Sequence, residues 1–337
     1  MSSIDDLVGS VKPGTSGWSV WRPLEENADS EVPVAVLVGE NPGPTLWIQG
    51  ALHGNEFDAA IATQAALRGI RLEDLRGTVI GLPVVNGIGH RAGARVLPGD
   101  GKDPNRQFPG DPQGTDSERL AFALSSALAN HATYFVDVHS STETFLGIDH
   151  TIYLVADNPT ATLSRQMAQA SGTAVMWEST GGWLQGSAYI WAANRGIPSV
   201  LLDVGEIQGF SHVDQAASGL LGVLRGLDML PHVAASGLSE FITVRDPEWI
   251  RAQAPGLLTH SVRIGSEVHE GTELFRVLDL DGRELQTASC PFSDGVVVTI
   301  RRPHQARVDE DVVSIGRRVG SSTSDVPVDP VPDVLES

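Results

Sequence analysis

Apolar residues in this chain come in short runs of two periods, separated by polar and Gly/Pro breaks. Residues 33–38 and 45–49 read as short strands, with a turn at Asn41-Pro42-Gly43-Pro44 between them. Residues 59–67 are Ala-rich with apolar positions at helical spacing, so a helix is expected there. Continuous apolar runs at 78–85, 134–138 and 199–204 have the character of buried strands. Residues 117–131, 160–171, 187–195 and 213–227 carry helical periodicity, the first with Ser117 as its N-cap. Strands alternating with helices predict an α/β fold whose sheet is covered on both faces.

The pattern changes near Ala235. From Phe241 to Ile315 the chain consists of short β runs broken by turns at Gly265, Glu270-Gly271, Asp281-Gly282 and Asp294-Gly295. An α/β domain over 1–235 followed by a small all-β domain over 236–318 is expected. Residues 319–337, rich in Ser, Pro and Asp, read as a disordered acidic tail. There is no solenoid-type internal repeat.

Composition narrows the function. The 337 residues carry a net charge of −19, and lysine occurs only at Lys12 and Lys102. Nucleic acid is excluded as a partner, since phosphate binding needs a basic stripe. An acid-rich, lysine-poor surface serves simple solubility and would equally suit high salt. No apolar stretch approaches the roughly 18 residues of a membrane span. The first residues, Met1 to Asp6, lack a basic region followed by an apolar run, so the cytoplasm is the expected compartment. The oligomeric state is left open, a homo-oligomer included. Cys290 is the single cysteine, which rules out an internal disulfide and a thiolate zinc site. A metal in this protein must be held by histidine and carboxylate.

Two segments supply such ligands. His53-Gly54-Asn55-Glu56 follows a strand and opens a helix, and an i, i+3 pair there can converge on one point. The carboxyl end of a strand is also where open α/β sheets bind ligands. Asp137-Val138-His139 delivers a second histidine at the end of another buried strand. Two histidines and one carboxylate form a catalytic zinc set with an open position. Asp137 either orients that histidine or is a plain strand-end acid. Between the two segments lie Asn86, Arg91, Arg95 and the Gly/Pro-rich stretch 101–110 with Asn105 and Arg106. Arginine beside a metal can grip a carboxylate or stabilise an oxyanion. Arg91 reads as a surface residue.

Taken together, His53-Gly54-Asn55-Glu56, Arg91 to Arg95, Asp103 to Gly110 and Asp137-Val138-His139 resemble the succinylglutamate desuccinylase/aspartoacylase family, relatives of the zinc carboxypeptidases. The resemblance spans roughly residues 33 to 317 and implies a zinc-carboxypeptidase-like mixed sheet flanked by helices. It also implies a C-terminal barrel-sandwich domain similar to lipoyl domains, around Cys290 to Val297. That domain holds no lysine, so it cannot be a lysine-linked carrier; bordering the active-site channel or supporting assembly is its expected job. By the same resemblance, His53, Glu56 and His139 would hold one Zn2+ per chain. Arg95 would polarise the scissile carbonyl, and Asn105 and Arg106 would hold the carboxylate of a small acyl amino acid substrate. The implied reaction is amide hydrolysis.

One departure bears on mechanism. Where the family places a glutamate as general base, the matching register is Asp203-Val204-Gly205, followed by Glu206. Either Asp203 serves, or Glu206 reaches in; the unbroken register and rigid strand end favour Asp203. A carboxypeptidase acting on peptides and a non-hydrolytic zinc or ligand-binding relative remain as alternatives. Trp177, Trp183 and Trp191 read as core aromatics. Glu143, Asp149 and His150 read as a solvated loop; a pocket acid among them would select a substrate with an extra amine. The acyl group and amino acid cannot be read from the sequence.

Overall fold

The computed structural model describes residues 4–207, 210–232, 239–302 and 305–324. The junction expected at Ala235 and the tail from residue 325 onward lie outside the described residues.

A mixed sheet of 13 strands runs through the molecule. At its centre Arg76–Leu82, Asn41–Gly50, Tyr134–Ser140 and Ser199–Val204 lie side by side and parallel. His150–Leu154 joins antiparallel to Ser199–Val204 and parallel to Val175–Ser179. Val32–Val38 and Thr15–Trp21 extend the opposite side antiparallel.

The central strands are apolar on both faces because helices cover both. Val136 and Val138 pack with Ala59, Ala62 and Leu220, from helices Phe57–Gly69 and Val213–Gly226. Phe135, one residue out of phase, packs on the other face with Leu124 and Ala188, from helices Asp116–His131 and Ala188–Asn194. Phe135 is fully buried, and its truncation to alanine should cost about 3–5 kcal/mol. Strand alternation then puts Asp137, His139, Asp203, His150 and Trp177 on the face shared by Phe135, Leu201 and Ile152.

Two local expectations are corrected. Asn41 to Pro44 is not a separate turn: these residues begin the strand Asn41–Gly50, with a register break against Arg76–Leu82 between Asn41 and Thr45. Thr115, not Ser117, caps helix Asp116–His131; Glu118 accepts the Thr115 N–H at 2.8 Å. Ser117 lies inside the helix and donates its hydroxyl to Asp100 at 2.8 Å.

The C-terminal β region grows out of the same sheet. In strand Ser239–Arg251, Ile242–Arg245 pairs in parallel with Val175–Glu178, and Glu248–Arg251 pairs antiparallel with residues of Asp311–Ser324. A second sheet of Glu284–Ser289, Glu273–Leu278, Gly256–His260 and Gln305–Ala306 packs on it through Leu258, Phe275, Val297 and Ile315. The short strand Phe145–Gly147, which follows the His139 strand, pairs with Thr299–Arg301. The β region is thereby tied to the carboxyl edge of the central sheet. Among the described residues, no helix is long and apolar enough to cross a membrane.

Candidate metal centre and its cleft

His53 and Glu56 sit in the tight connection between strand Asn41–Gly50 and helix Phe57–Gly69. Gly54 is required there: a Cβ would stand 2.1 Å from the Gly89 carbonyl carbon. His139 is delivered by strand Tyr134–Ser140. The ligand atoms of His53, Glu56 and His139 all fall within 4.8 Å of one another, and all three residues are buried. Each histidine Nδ1 lies 2.7 Å from one Glu56 oxygen, and the two Nδ1 atoms are 3.2 Å apart.

The far side of each ring is also committed. Asp103 meets His53 Nε2 at 3.0 Å, and Asp137 meets His139 Nε2 at 3.0 Å. A carboxylate only accepts, so Nε2 carries the proton and the Nδ1 lone pairs point at Glu56. Two lone pairs and a carboxylate converging in a buried space need a cation between them. Without one, His139 becomes the cation: burial opposes its charge, but Asp137 and Glu56 outweigh this and raise its pKa well above the ordinary value. Burial likewise opposes the Glu56 charge, but His53 and His139 hold its carboxyl far below the usual carboxylate range. The donor set thus fits a metal ion, with two imidazole nitrogens and one carboxylate as its ligands.

A cleft of about 320 Å³ opens beside these ligands. Arg95, Asn105, Arg106, Trp177 and Trp183 line one side, and Pro247, Trp249, Thr299, Asp311 and Ser314 of the β region line the other. Arg95 bridges Glu56 at 3.3 Å and Asp103 at 3.2 Å. Arg106 stacks on Trp183 at 5.4 Å and donates to the Asn105 carbonyl at 2.7 Å. Burial lowers its pKa, opposed by Asp103. Asn105 is buried: Oδ1 accepts the Ala188 N–H at 2.9 Å, and Nδ2 lies 3.1 Å from His139 Nε2.

Asp203 lines the cleft as the register partner of His139 on one side and of His150 on the other. Burial raises its pKa, with Glu56 and Asp149 adding to the effect and His150 and His139 opposing it. Glu206 does not line the cleft; it accepts Arg302 Nη2 at 2.6 Å.

The remaining sequence candidates separate cleanly. Arg91 pairs with Asp29 at the surface. Asn86 caps helix Gly87–Ala92. Trp191 packs on Phe108 away from the cleft, whereas Trp177 and Trp183 line it. Glu143 accepts from Asn55, and Asp149 accepts the Gly205 N–H and meets His212, so neither faces the cleft. His150 is not in a solvated loop; it is buried, opens strand His150–Leu154 and lines the cleft. Sequence reasoning also missed Asp103 as the partner of His53, for no local pattern links the two.

The catalytic-domain model of the succinylglutamate desuccinylase/aspartoacylase family matches residues 42–230. The N-alpha-acetyl-L-2,4-diaminobutyric acid deacetylase of Halomonas elongata is 24% identical over 317 residues, covering 86% of each chain. A solved succinylglutamate desuccinylase/aspartoacylase of Rhodobacter sphaeroides is 26% identical with a TM-score of 0.76, over 90% of this chain and 95% of that one. The product-bound ectoine utilization protein EutE (DoeB) of Ruegeria pomeroyi has a TM-score of 0.75 at 24% identity, over 85% of this chain and 89% of that one. These structures share the mixed α/β fold expected from the sequence.

Proposed function

Because the chain belongs to the succinylglutamate desuccinylase/aspartoacylase family, we propose that it hydrolyses the amide of a small N-acyl amino acid, with one zinc ion held by His53, Glu56 and His139. The observation that carries this reading is the convergence of two Nδ1 lone pairs and a carboxylate at the mouth of a cleft that also holds Asp203. When bound, the zinc ion polarises the amide carbonyl and makes water more acidic.

The chain's own residues supply the rest. Asp203 takes a proton from the attacking water and passes it to the leaving nitrogen. Its raised pKa suits a group that must both accept and return a proton. Glu206, held by Arg302, is poorly placed for that role. Arg95 donates toward the carbonyl oxygen as charge builds on it. Arg106, which lies over Trp183, grips the substrate carboxylate, and Asn105 fixes the start of helix Ala188–Asn194 by accepting the Ala188 N–H, with its amide nitrogen beside the His139 ring. The products are a free carboxylic acid and an amine.

A cleft of about 320 Å³, walled by the β region, suits a small amide better than a peptide, which weighs against a carboxypeptidase. The Halomonas elongata relative is, by its name, a deacetylase of an amide in this size class. A cytoplasmic location belongs to the same proposal.

The test is metal content of the purified protein beside His53→Ala, with hydrolysis of N-acetyl amino acids assayed on the same samples. About one zinc per chain, lost with activity in the variant, is expected. A wild type that takes up no metal from zinc buffer refutes the reading. Full metal content with no turnover across a broad panel would make the protein a binding relative instead.

A further inference from the structure

Beyond Asp203 the cleft continues along the sheet to His150. His139, Asp203 and His150 are register partners on three successive strands. Neighbouring strands lie about 4.8 Å apart, which sets His150 roughly 10 Å across the sheet from His139. Ile152 and Leu201 lie beside His150 on the same face, and Trp177 packs its ring against the imidazole at 6.0 Å. The group that protonates the leaving nitrogen stands on the leaving side of the scissile bond. What lies past Asp203 therefore surrounds the side chain of the departing amino acid.

His150 is only 5% exposed, and of its two ring nitrogens only Nδ1 has a hydrogen-bond partner among the described residues. Nδ1 faces the Ile148 carbonyl at 2.8 Å, and a carbonyl only accepts, so Nδ1 carries the proton. Nε2 then holds a lone pair. Among the described residues it has no hydrogen-bond partner, and His150 lines the cleft. A buried acceptor left without a donor costs free energy that a ligand's N–H would recover. The Asp203 carboxyl, the register partner of His150, interacts with it electrostatically, whereas Asp149 is engaged by Gly205 and His212. A lone pair next to a carboxyl group welcomes a donor or a cation and repels an anion.

We infer that His150 is a specificity-determining residue whose Nε2 accepts a hydrogen bond from a side-chain amine on the departing amino acid. The inference rests on the hydrolytic reading of the cleft and adds to it the class of leaving group: a diamino acid acylated on its α-nitrogen. An acidic side chain in that place would set its oxygens against the Nε2 lone pair and Asp203.

The experiment uses three substrates of similar size: N-acetyl-2,4-diaminobutyrate, N-acetylnorvaline and N-acetylaspartate. They are assayed with the zinc-loaded wild type, His150→Leu and His150→Gln, each first checked for thermal unfolding and metal content. In the wild type the amine substrate should exceed the other two by about 10–100-fold in kcat/KM. His150→Leu should collapse that ratio to within about threefold, mostly through KM. His150→Gln, whose amide oxygen can stand near the place of Nε2, should restore part of it. Calorimetric binding of free 2,4-diaminobutyrate and norvaline to wild type and His150→Leu supplies a readout that does not need turnover. Discrimination in binding without turnover would uphold the assignment while removing the hydrolytic reading. A wild type that binds and turns over the pairs equally, a preference for the aspartate substrate, or a His150→Leu variant that keeps the full ratio would each overturn it.

Discussion

His53 and His139 present their Nδ1 atoms to each other at 3.2 Å across the Glu56 carboxylate. Unprotonated nitrogens at that separation repel unless a cation stands between them. The two carboxylates behind the rings, Asp103 and Asp137, make the arrangement one that a metal completes.

The first prediction concerns those two carboxylates. Asp103→Ala and Asp137→Ala each remove an acceptor that fixes a ring tautomer and strengthens its donor atom. Each should weaken zinc affinity by about 10–100-fold, as loss of a partner behind a ligand does elsewhere. Competition against a chromophoric chelator measures this. Unchanged affinity in both variants would mean the rings are oriented by packing alone.

A second prediction separates the two candidate bases. Asp203→Asn keeps the shape of the side chain but cannot carry a proton, and kcat should fall by about 10²–10⁴-fold with zinc content unchanged. Glu206→Gln loses only the charge partner of Arg302 at 2.6 Å. It should retain kcat within about threefold, while a loss of up to about 1 kcal/mol in urea unfolding is expected for a partly exposed ion pair. Steady-state kinetics on both variants decides, and the reverse pattern would hand the base role to Glu206.

The acid limb of stability should carry a signature from helix Asp116–His131. The Thr115 N–H and the Lys102 ammonium lower the Glu118 pKa to about 2. A carboxyl depressed on folding contributes stability that is full above its unfolded value, near 4.5, and is lost as pH falls through its folded value. The gap in urea midpoint between wild type and Glu118→Gln should therefore be constant above about pH 5.5 and shrink between about pH 4.5 and 2. A gap independent of pH would show that the ionised carboxylate is not what caps the helix.

What was legible in the sequence depended on how local its cause is. His53 and Glu56 announce themselves because three residues at a helix start suffice to bring them together, and His139 because a buried strand ends on it. Asp103 stands 50 residues from His53, in a loop whose course nothing local dictates. Arg302, which takes the Glu206 carboxylate, stands 96 residues beyond it, so the sequence offered no way to count that ion pair when Glu206 is weighed against Asp203. His150 read as loop because its strand has only 5 residues and begins on a polar one. Its burial comes from Trp177 and from pairing with Ser199–Val204, which periodicity cannot reveal. The residues Asn41 to Pro44 have turn composition, and only pairing beside Arg76–Leu82 draws them into a strand.

The last prediction divides Asn105 from Arg106, which the family resemblance assigns to one task. Arg106 forms no ion pair within 4 Å among the described residues, lies in the cleft and has its guanidinium over the Trp183 ring at 5.4 Å. Its guanidinium is free to take a carboxylate by two parallel bonds, a geometry lysine cannot copy. Arg106→Lys should therefore raise KM by about 10–100-fold with a smaller change in kcat, the mark of a contact made equally in the ground and transition states. Asn105 spends its oxygen on the Ala188 N–H and sets its nitrogen against His139. Asn105→Ala should act through those neighbours: kcat and zinc retention should fall together, and KM should move little. Kinetics with a carboxylate substrate, read beside zinc retention in dilute chelator, tell the two apart. If Asn105→Ala raised KM alone, the asparagine would have to turn from Ala188 to the substrate on binding, and the role given to it here would pass back to direct recognition.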